Sequence, residues 1–190
     1  HTRYRHVTGV QTYALPISVL APANLKQLGE MLEYAINSHN GPIAIRYPKV
    51  ILDSESSTPF EFGKACVERT GSNITVIAGG NMLSTALRAA EISGESVEVI
   101  DARTIKPLDN ETILKSIKKT KRVITIEDNV IIGGLGSMVE HITDVPVIKL
   151  GYGDSPVTHG DLESLYKING VDVESVADII KRECNHEKAS

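Results

Sequence analysis

The sequence predicts an α/β fold with a mostly parallel sheet and helices on both faces, preceded by the last helix and strand of a truncated second domain. Short apolar runs alternate with helical segments along residues 60–184, and this alternation is typical of a parallel sheet covered on both faces. A polar, serine-rich stretch at residues 51–59 separates this regular part from residues 19–50 and is interpreted as a linker. Residues 185–190 are interpreted as a tail.

The composition indicates a globular domain and argues against several classes of partner. The chain has 190 residues, of which 41% are hydrophobic and 23% charged, as in an ordinary folded domain. Its net charge of -4, its aromatic content of 4% and its lack of Trp argue against nucleic-acid binding. No apolar run approaches the roughly 20 residues of a membrane-spanning helix. We therefore expect no nucleic-acid partner and no membrane.

A basic cluster ends one predicted helix, where cations suit the helix dipole, and is interpreted as a solvated face. Its members are Lys115, Lys118, Lys119, Lys121 and Arg122.

Cysteine and histidine usage predicts a reduced protein without a metal site. Cys66 and Cys184 stand far apart and in no motif, which argues against a disulfide and favours a cytoplasmic location. The six histidines show no metal-ligand spacing with the cysteines. We therefore expect no metal ion to be bound by this chain.

The first residues differ in pattern from the rest of the chain. The sequence opens with His1 rather than Met, and residues 1–18 have neither helical nor strand periodicity. They resemble translated adapter DNA and are interpreted either as foreign to the gene or as a flexible terminus. We therefore exclude residues 1–18 from the fold, as a non-native or disordered start, and expect the chain to be a fragment or a processed product.

The part before the linker contains one predicted helix and one predicted strand. Asn24 is a suitable N-cap for a helix whose apolar residues recur on one face. That face consists of Leu25, Leu28, Leu32, Ala35 and Ile36. A break at Gly41 follows, and then a short apolar strand at residues 43–47 that ends at Pro48.

After the linker, five strands and five helices are predicted from apolar runs and helical periodicity. The predicted strands are residues 60–69, 74–78, 97–101, 123–126 and 145–150. The predicted helices are residues 82–92, 109–119, a segment through 138–142, 162–168 and 173–182. Asp109, Asp161 and Asp172 stand at the starts of three of these helices and are expected to cap them.

Motifs near the carboxyl ends of the strands are candidates for ligand binding, because ligands of parallel sheets bind there. Residues 133–137 form a glycine-rich turn that matches neither phosphate-binding glycine motif, so we favour close packing over a phosphate cradle. Glu127 and Asp128 form a carboxylate pair that acid–base catalysis can use. Neighbouring side chains on a strand point to opposite sides, which favours separate structural roles. His159, next but one to the helix cap Asp161, is favoured as a turn residue over a catalytic imidazole.

Arg46 is the side chain most expected to bind a ligand. It follows the apolar Ile45 in a short strand that is expected to be buried, and an unpaired buried charge is costly. Its planar guanidinium suits a phosphate or a carboxylate. A ligand and a structural ion pair both satisfy these requirements, and both interpretations stay open at this point.

Five short motifs occur along the chain in a recognisable order. They are VLAP at 19–22, GPIAIRYPK at 41–49, FGK at 62–64, IKPLD at 105–109 and TIEDNVIIGGLG at 125–136. Together they resemble the C-terminal part of 1-deoxy-D-xylulose-5-phosphate synthases, thiamine-diphosphate-dependent enzymes of the transketolase-like superfamily. The resemblance implies a transketolase C-terminal-like domain at residues 60–184 and a remnant of a pyrimidine-binding domain at residues 19–50.

Some details resemble this synthase and others resemble related enzymes. The RYP motif at 46–48, Asn129 and the segment 151–160 are similar to the synthase. Residues 104–109 also resemble the short C-terminal subunit of split transketolases, and the beta chain of a 2-oxoacid dehydrogenase is a further alternative. Asp128 departs from the synthase pattern, in which Glu is more usual.

The resemblance implies that the intact enzyme is a transferase that condenses pyruvate with glyceraldehyde 3-phosphate for isoprenoid, thiamine and pyridoxal biosynthesis. It implies thiamine diphosphate and magnesium as cofactors of the intact parent, bound by residues upstream of this chain. No cofactor, no metal and no catalytic residue are therefore expected here. Arg46 is the one site residue carried over, as a ligand of the acceptor phosphate. The resemblance further implies a homodimer when intact, with the missing N-terminal domains as partners, and a fragment that is inactive alone.

Overall fold

The structure is a computed structural model that describes residues 17–48, 56, 58–155, 157 and 159–185. Within these residues the chain forms eight strands and six helices. The strands are β1 (Ser18–Leu20), β2 (Ile43–Ile45), β3 (Cys66–Arg69), β4 (Ile74–Ala78), β5 (Val97–Asp101), β6 (Thr104–Lys106), β7 (Val123–Val130) and β8 (Val147–Tyr152). The helices are α1 (Leu25–Asn37), α2 (Met82–Ser93), α3 (Asn110–Thr120), α4 (Leu135–Glu140), α5 (Leu162–Ile168) and α6 (Val173–Asn185).

A five-stranded sheet forms the centre of the main domain. Its strand order is β3-β5-β4-β7-β8. The pairs β5-β4, β4-β7 and β7-β8 are parallel, whereas the edge strand β3 is antiparallel to β5. Every residue of β4 and β5 is buried, as expected for strands that are covered on both faces. The predicted α/β fold with a mostly parallel sheet is therefore confirmed.

Helices cover both faces of this sheet and create two separate cores. On one face α2 and α6 pack against each other and against the sheet. On the other face α3 and α4 contribute the helical side of the second core. Val76 of β4 belongs to the first core and its neighbour Ile77 to the second, because side chains alternate across a strand.

A smaller sheet joins the beginning of the chain to the main domain. Its order is β2-β1-β6, with β1 parallel to β2 and antiparallel to β6. We call β1, α1 and β2 together the docked unit (residues 18–45). The sequence predicts α1, and it predicts β2 as a longer strand, but β1 and β6 were not predicted. Strands of three residues are too short to show a period of two.

Two boundaries differ from the sequence-based expectations. Strand β3 begins at Cys66 rather than at residue 60, because the residues before it pack on α1, where Phe62 stacks on Tyr34 with ring centroids 4.9 Å apart. Strand β1 begins at Ser18, whose N–H donates to a main-chain carbonyl at 3.0 Å. Ser18 therefore belongs to the fold, although the sequence analysis excluded it.

The predicted linker and both predicted ends lie largely outside the described residues. Residues 1–16, 49–55 and 186–190 are not among them. The predicted domain boundaries therefore stay predictions.

Side-chain caps begin four of the helices as the sequence predicted. Each cap accepts a hydrogen bond from the backbone N–H three residues further on, which satisfies a donor that the first helical turn leaves free. The caps are Asn24, Asp109, Asp161 and Asp172, with N–O distances of 2.8, 3.2, 2.9 and 3.1 Å.

Candidate functional site

Arg46 pairs with Asp128 at the carboxyl edge of the main sheet. Arg46 directly follows β2, and its Nη2 donates to the carboxylate Oδ1 and to the backbone carbonyl of Asp128 in β7. The backbone N–H of Arg46 donates to the carbonyl of Leu20 at 2.8 Å, which ties Arg46 to β1. Two residues that the sequence analysis considered separately therefore meet in space.

The Arg46 side chain is not buried, so the expectation of a buried charge is wrong. It is 42% exposed because Arg46 lies past the end of β2, the outer strand of the smaller sheet. Burial therefore does not force a carboxylate partner on Arg46. Exposed ion pairs contribute only about 0–1 kcal/mol, so the contact with Asp128 mainly orients the guanidinium.

A small cavity of about 80 Å³ opens beside this pair. Its lining residues are Arg46, Tyr47, Pro48, Gly80, Asn81 and Asp128. Within the part of the chain that the structure describes, Nη2 is the guanidinium atom that meets an acceptor. Nε and Nη1 of Arg46 remain available to an anion that enters the cavity, and a planar guanidinium binds phosphate through such paired donors.

Two tyrosines lie near the cavity and remain uncharged. Asn81 Nδ2 donates to the hydroxyl of Tyr166 at 2.7 Å. Burial raises the pKa of Tyr166 and of Tyr152, and the charge of Asp128 raises both further. Both phenols are therefore protonated at physiological pH, and the charges of the lining residues come from Arg46 and Asp128.

The neighbouring carboxylates Glu127 and Asp128 have separate roles, as the sequence analysis favoured. Asp128 pairs with Arg46. Glu127 instead accepts hydrogen bonds from the N–H groups of Leu135 and Gly136 at 3.0 Å each. Burial raises the pKa of Glu127, although these two donors oppose the rise. Glu127 therefore acts as the anion that caps α4, and Asp128 acts as the partner of Arg46.

The glycine-rich turn provides room for that capping carboxylate. A Cβ on Gly134 would lie 2.6 Å from both Cδ and Oε1 of Glu127, and one on Gly136 would lie 2.6 Å from Oγ1 of Thr125. These contacts explain two of the glycines by close packing. Because Glu127 occupies the N–H groups at the start of α4, this turn does not fit a phosphate or a diphosphate.

Removing the Glu127 carboxylate is expected to destabilise the main domain. Glu127→Ala leaves two buried N–H groups without an acceptor, and each unsatisfied donor costs about 1–3 kcal/mol. We expect the free energy of unfolding to fall by about 2–4 kcal/mol, measured by urea denaturation. Glu163→Ala is the matched control, since Glu163 is exposed in the first turn of α5 and should change stability by about 0.5 kcal/mol or less. Equal losses in the two variants would contradict the capping role.

Other residues considered from the sequence take ordinary structural places. His159 is exposed in a bend next but one to the cap Asp161. Within the described residues neither Cys66 nor Cys184 forms a disulfide, and burial raises the pKa of Cys66. Among the residues described, no group of His, Cys, Asp or Glu is arranged to hold a metal ion. The same residues include no helix long and apolar enough to cross a membrane.

A buried polar cluster that the sequence analysis missed joins the docked unit to the main domain. Arg103 is 2% exposed, and its Nε donates to Asp101 Oδ2 at 3.3 Å while its Nη2 donates to Glu68 Oε1 at 3.2 Å. Gln27 of α1 donates to the same Oδ2 of Asp101 at 2.8 Å. Ser56 Oγ accepts from both Arg103 and Gln27. An arginine two residues after an aspartate at a predicted strand end was the available signal, but it carries no periodicity.

Burial shapes the charge of this cluster. Asp101 is fully buried, and this burial raises its pKa to about 6, with the charge of Glu68 adding to the rise. The hydrogen bond from Gln27 and the charge of Arg103 act in the opposite direction. At neutral pH Asp101 is therefore ionised and pairs with the guanidinium of Arg103.

The mostly parallel sheet is covered by helices on both faces and carries a charged pair at its carboxyl edge. These features define an α/β domain whose candidate ligand site lies at the carboxyl ends of its strands. Residues 63–176 match the sequence model of the family described as transketolase, C-terminal domain. The chain belongs to this family.

Individual relatives carry the name 1-deoxy-D-xylulose-5-phosphate synthase. The one from Caldanaerobacter subterraneus subsp. tengcongensis is 40% identical over 88% of this chain and 29% of its own length. Those from Clostridium kluyveri and Chlorobium luteolum are 41% and 33% identical over 85% and 89% of this chain. The chain spans 27–29% of the length of these relatives, so the similarity concerns one part of a longer enzyme.

Solved structures confirm the fold. A structure titled "Split gene transketolase, inactive beta4 tetramer" superposes with a TM-score of 0.79 and 29% identity, covering 89% of this chain and 57% of the other. A transketolase mutant from Pichia Stipitis superposes with a TM-score of 0.70 at 16% identity, covering 97% of this chain and 28% of the other. The transketolase C-terminal-like fold is therefore confirmed for this chain.

Proposed function

We propose that this chain works as the C-terminal part of a 1-deoxy-D-xylulose-5-phosphate synthase, a transferase that condenses pyruvate with glyceraldehyde 3-phosphate. The observation that carries the proposal is the identity of 33–41% to enzymes of that name over 85–89% of the chain. The products of such an enzyme would serve isoprenoid, thiamine and pyridoxal biosynthesis.

The cofactors of the intact enzyme, thiamine diphosphate and magnesium, would be held by parts of the enzyme outside this chain. When bound, thiamine diphosphate supplies the electron sink for the carbanion chemistry. The described residues offer no metal cluster, and Glu127 fills the N–H groups at the start of α4. We therefore assign no cofactor contact and no catalytic residue to this chain, and we expect it to be inactive alone. The missing N-terminal domains are its partners, in an enzyme that is a homodimer when intact.

Arg46 would bind the phosphate of the acceptor substrate, glyceraldehyde 3-phosphate. Three features support this role: an exposed guanidinium, two of its nitrogens without an acceptor among the described residues, and a cavity beside it. The contact with Asp128 holds one nitrogen, which leaves the remaining donors oriented toward the ligand. In a purely structural role, Arg46 would only form the ion pair with Asp128. Kinetics can distinguish this role from substrate binding.

Replacing Arg46 should selectively weaken the binding of the acceptor substrate. The test enzyme joins this chain to the upstream part of the Caldanaerobacter relative, which is 40% identical to it. A charge-assisted hydrogen bond contributes about 1.5–3 kcal/mol, so Arg46→Ala should raise KM for glyceraldehyde 3-phosphate by about 10- to 100-fold. KM for pyruvate should be nearly unchanged. Arg46→Lys should recover part of the loss, because an ammonium lacks the planar fork.

Two controls make this result interpretable. Arg88→Ala removes an exposed arginine from α2 and should leave both constants unchanged. The chain without the upstream part should release no carbon dioxide from pyruvate. A loss of stability in Arg46→Ala with normal kinetics would show that Arg46 is a structural ion-pair residue, and the substrate role would then be wrong.

A second candidate function is the short subunit of a split transketolase or the beta chain of a 2-oxoacid dehydrogenase, acting as an assembly partner. The structure titled as a split gene transketolase favours the first of these two, with a TM-score of 0.79. The two candidates need different upstream parts, because the upstream part holds the cofactor. A synthase fragment should restore carbon dioxide release from pyruvate when it is joined to the upstream part of the Caldanaerobacter relative. A transketolase subunit should fail there and should instead restore transfer from a ketose phosphate when it is joined to the upstream part of a transketolase.

A further inference from the structure

We propose that Arg103 is a positioning residue: it fixes the docked unit to the main domain and so holds Arg46 above Asp128. The effect on substrate binding rests on the proposed function of Arg46, whereas the effect on docking does not. Arg103 lies between β5 and β6, in the main domain, and is not one of the residues that line the cavity.

The side chain of Arg103 gathers three separate parts of the chain. Nε meets Asp101 and Nη2 meets Glu68, both from the main sheet. Nη1 donates to the carbonyl of Pro59 at 3.0 Å, in the segment that precedes β3. Asp101 in turn accepts a hydrogen bond from Gln27, a residue of α1 that is 1% exposed. The cluster therefore forms a continuous polar link from the main sheet to the helix of the docked unit.

The backbone of Arg103 leads directly to Arg46. Its φ of 55° lies in the left-handed region, which a residue other than glycine occupies at a cost and only where surroundings enforce it. In this conformation the carbonyl of Arg103 accepts from the N–H of Ala21 at 2.8 Å. One residue earlier, the carbonyl of Leu20 accepts from the N–H of Arg46, also at 2.8 Å. Two hydrogen bonds and the end of β1 thus separate Arg103 from Arg46.

Stability alone does not account for an arginine at this place. A buried ion pair often stabilises a protein no more than apolar residues of the same volume. Its hydrogen bonds, however, restrict the joined segments to one relative position. The aromatic contact between Tyr34 and Phe62 also joins α1 to the main domain, but it lies near the far end of α1 from β1. Arg103 is the residue that fixes the end of β1 next to Arg46.

Hydrogen exchange on this chain tests the docking. We expect the amides of Ala21 and Arg46 to exchange at least about tenfold faster in Arg103→Met than in the wild type. The exchange rates of the Ile77 and Val99 amides, in β4 and β5, should change no more in Arg103→Met than they do in the control Arg88→Met. Arg103→Lys should lie between wild type and Arg103→Met, because it keeps the charge but not the fork.

A second variant covers the case in which Arg103→Met does not fold. Gln27→Ala removes the link from α1 to Asp101, together with the acceptor of the Ala23 N–H, and leaves the contacts of Arg103 with Asp101 and Glu68 in place. We expect the same selective acceleration at Ala21 and Arg46, to a smaller extent. Acceleration of all amides to the same degree, or none at Ala21 and Arg46, would overturn the proposal.

The joined enzyme adds a readout that a merely structural role would not move. Gln27→Ala should raise KM for glyceraldehyde 3-phosphate several-fold with kcat nearly unchanged, and should have no further effect in an Arg46→Ala background. If Arg46→Ala itself leaves KM unchanged, the proposed function falls while the exchange result still decides the docking. If Arg46→Ala raises KM but Gln27→Ala changes neither KM nor exchange, the positioning role is wrong.

Discussion

Replacing Asp101 with alanine is expected to lower the free energy of unfolding by about 3–5 kcal/mol at neutral pH. Asp101 is fully buried and ionised above its pKa of about 6. Its loss would leave the buried guanidinium of Arg103 with one carboxylate instead of two, and it would remove one of the two acceptors of Gln27. Breaking a buried pair by removing one partner costs this much because the other charge stays desolvated. Urea denaturation followed by circular dichroism measures the change.

Asp161→Ala is the matched control for this prediction. Asp161 is exposed and caps α5, and losing such a cap costs about 1 kcal/mol. A loss in Asp101→Ala that is no larger than the loss in Asp161→Ala would show that the buried cluster contributes little. It would also show that Glu68 alone satisfies Arg103.

Gly71→Ala is expected to be the most damaging of the glycine substitutions, with a loss of about 3 kcal/mol or more. A Cβ on Gly71 would lie 2.5 Å from the carbonyl oxygen of Val97, and closer still to the carbonyl carbon of Val97 and to the nitrogen of Glu98. These are backbone atoms at the start of β5, a central strand, so they cannot turn away as a side chain can. The turn or the strand would have to shift as a whole. Thermal unfolding monitored by calorimetry measures the effect.

Gly29→Ala is the same chemical change, but it is expected not to lower the stability. Gly29 lies within α1, and a Cβ there would meet nothing within 4 Å. Alanine favours a helix over glycine by about 1 kcal/mol, so this variant should be as stable as the wild type or more stable. Similar melting temperatures for the two alanine variants would refute the close approach at Gly71.

Local signals in the sequence were sufficient for the central elements of the fold. The bounds of β4, β5 and α5 agree with the predicted residues 74–78, 97–101 and 162–168. Short segments rich in Val and Ile mark the two strands, and Asp161 marks the start of the helix, so each signal lies within the element or directly beside it. The smaller sheet could not be predicted in the same way, because β1 and β6 exist only through pairing between distant residues.

The candidate site was predictable only as separate parts. Arg46 stood out as a cation beside apolar residues and Asp128 as a carboxylate at a strand end, but 82 positions separate the two. Their pairing depends on how the docked unit sits on the main domain, which no local pattern describes. The same reason explains the missed Arg103, whose partners range from Gln27 on α1 through Asp101 to Glu68 on β3.

The antiparallel pairing of β1 with β6 means that the family boundary at residue 63 is not a place where the polypeptide can be cut cleanly. A shorter version that begins there would keep β6 but lose the strand that covers it, and would keep Arg103 and Asp101 but lose Gln27 and Ser56. The result would be an exposed strand edge that can pair with other chains. The buried polar cluster around Arg103 would also become accessible to water. For expression or for grafting onto another enzyme, a module that keeps this pairing therefore starts no later than Ser18.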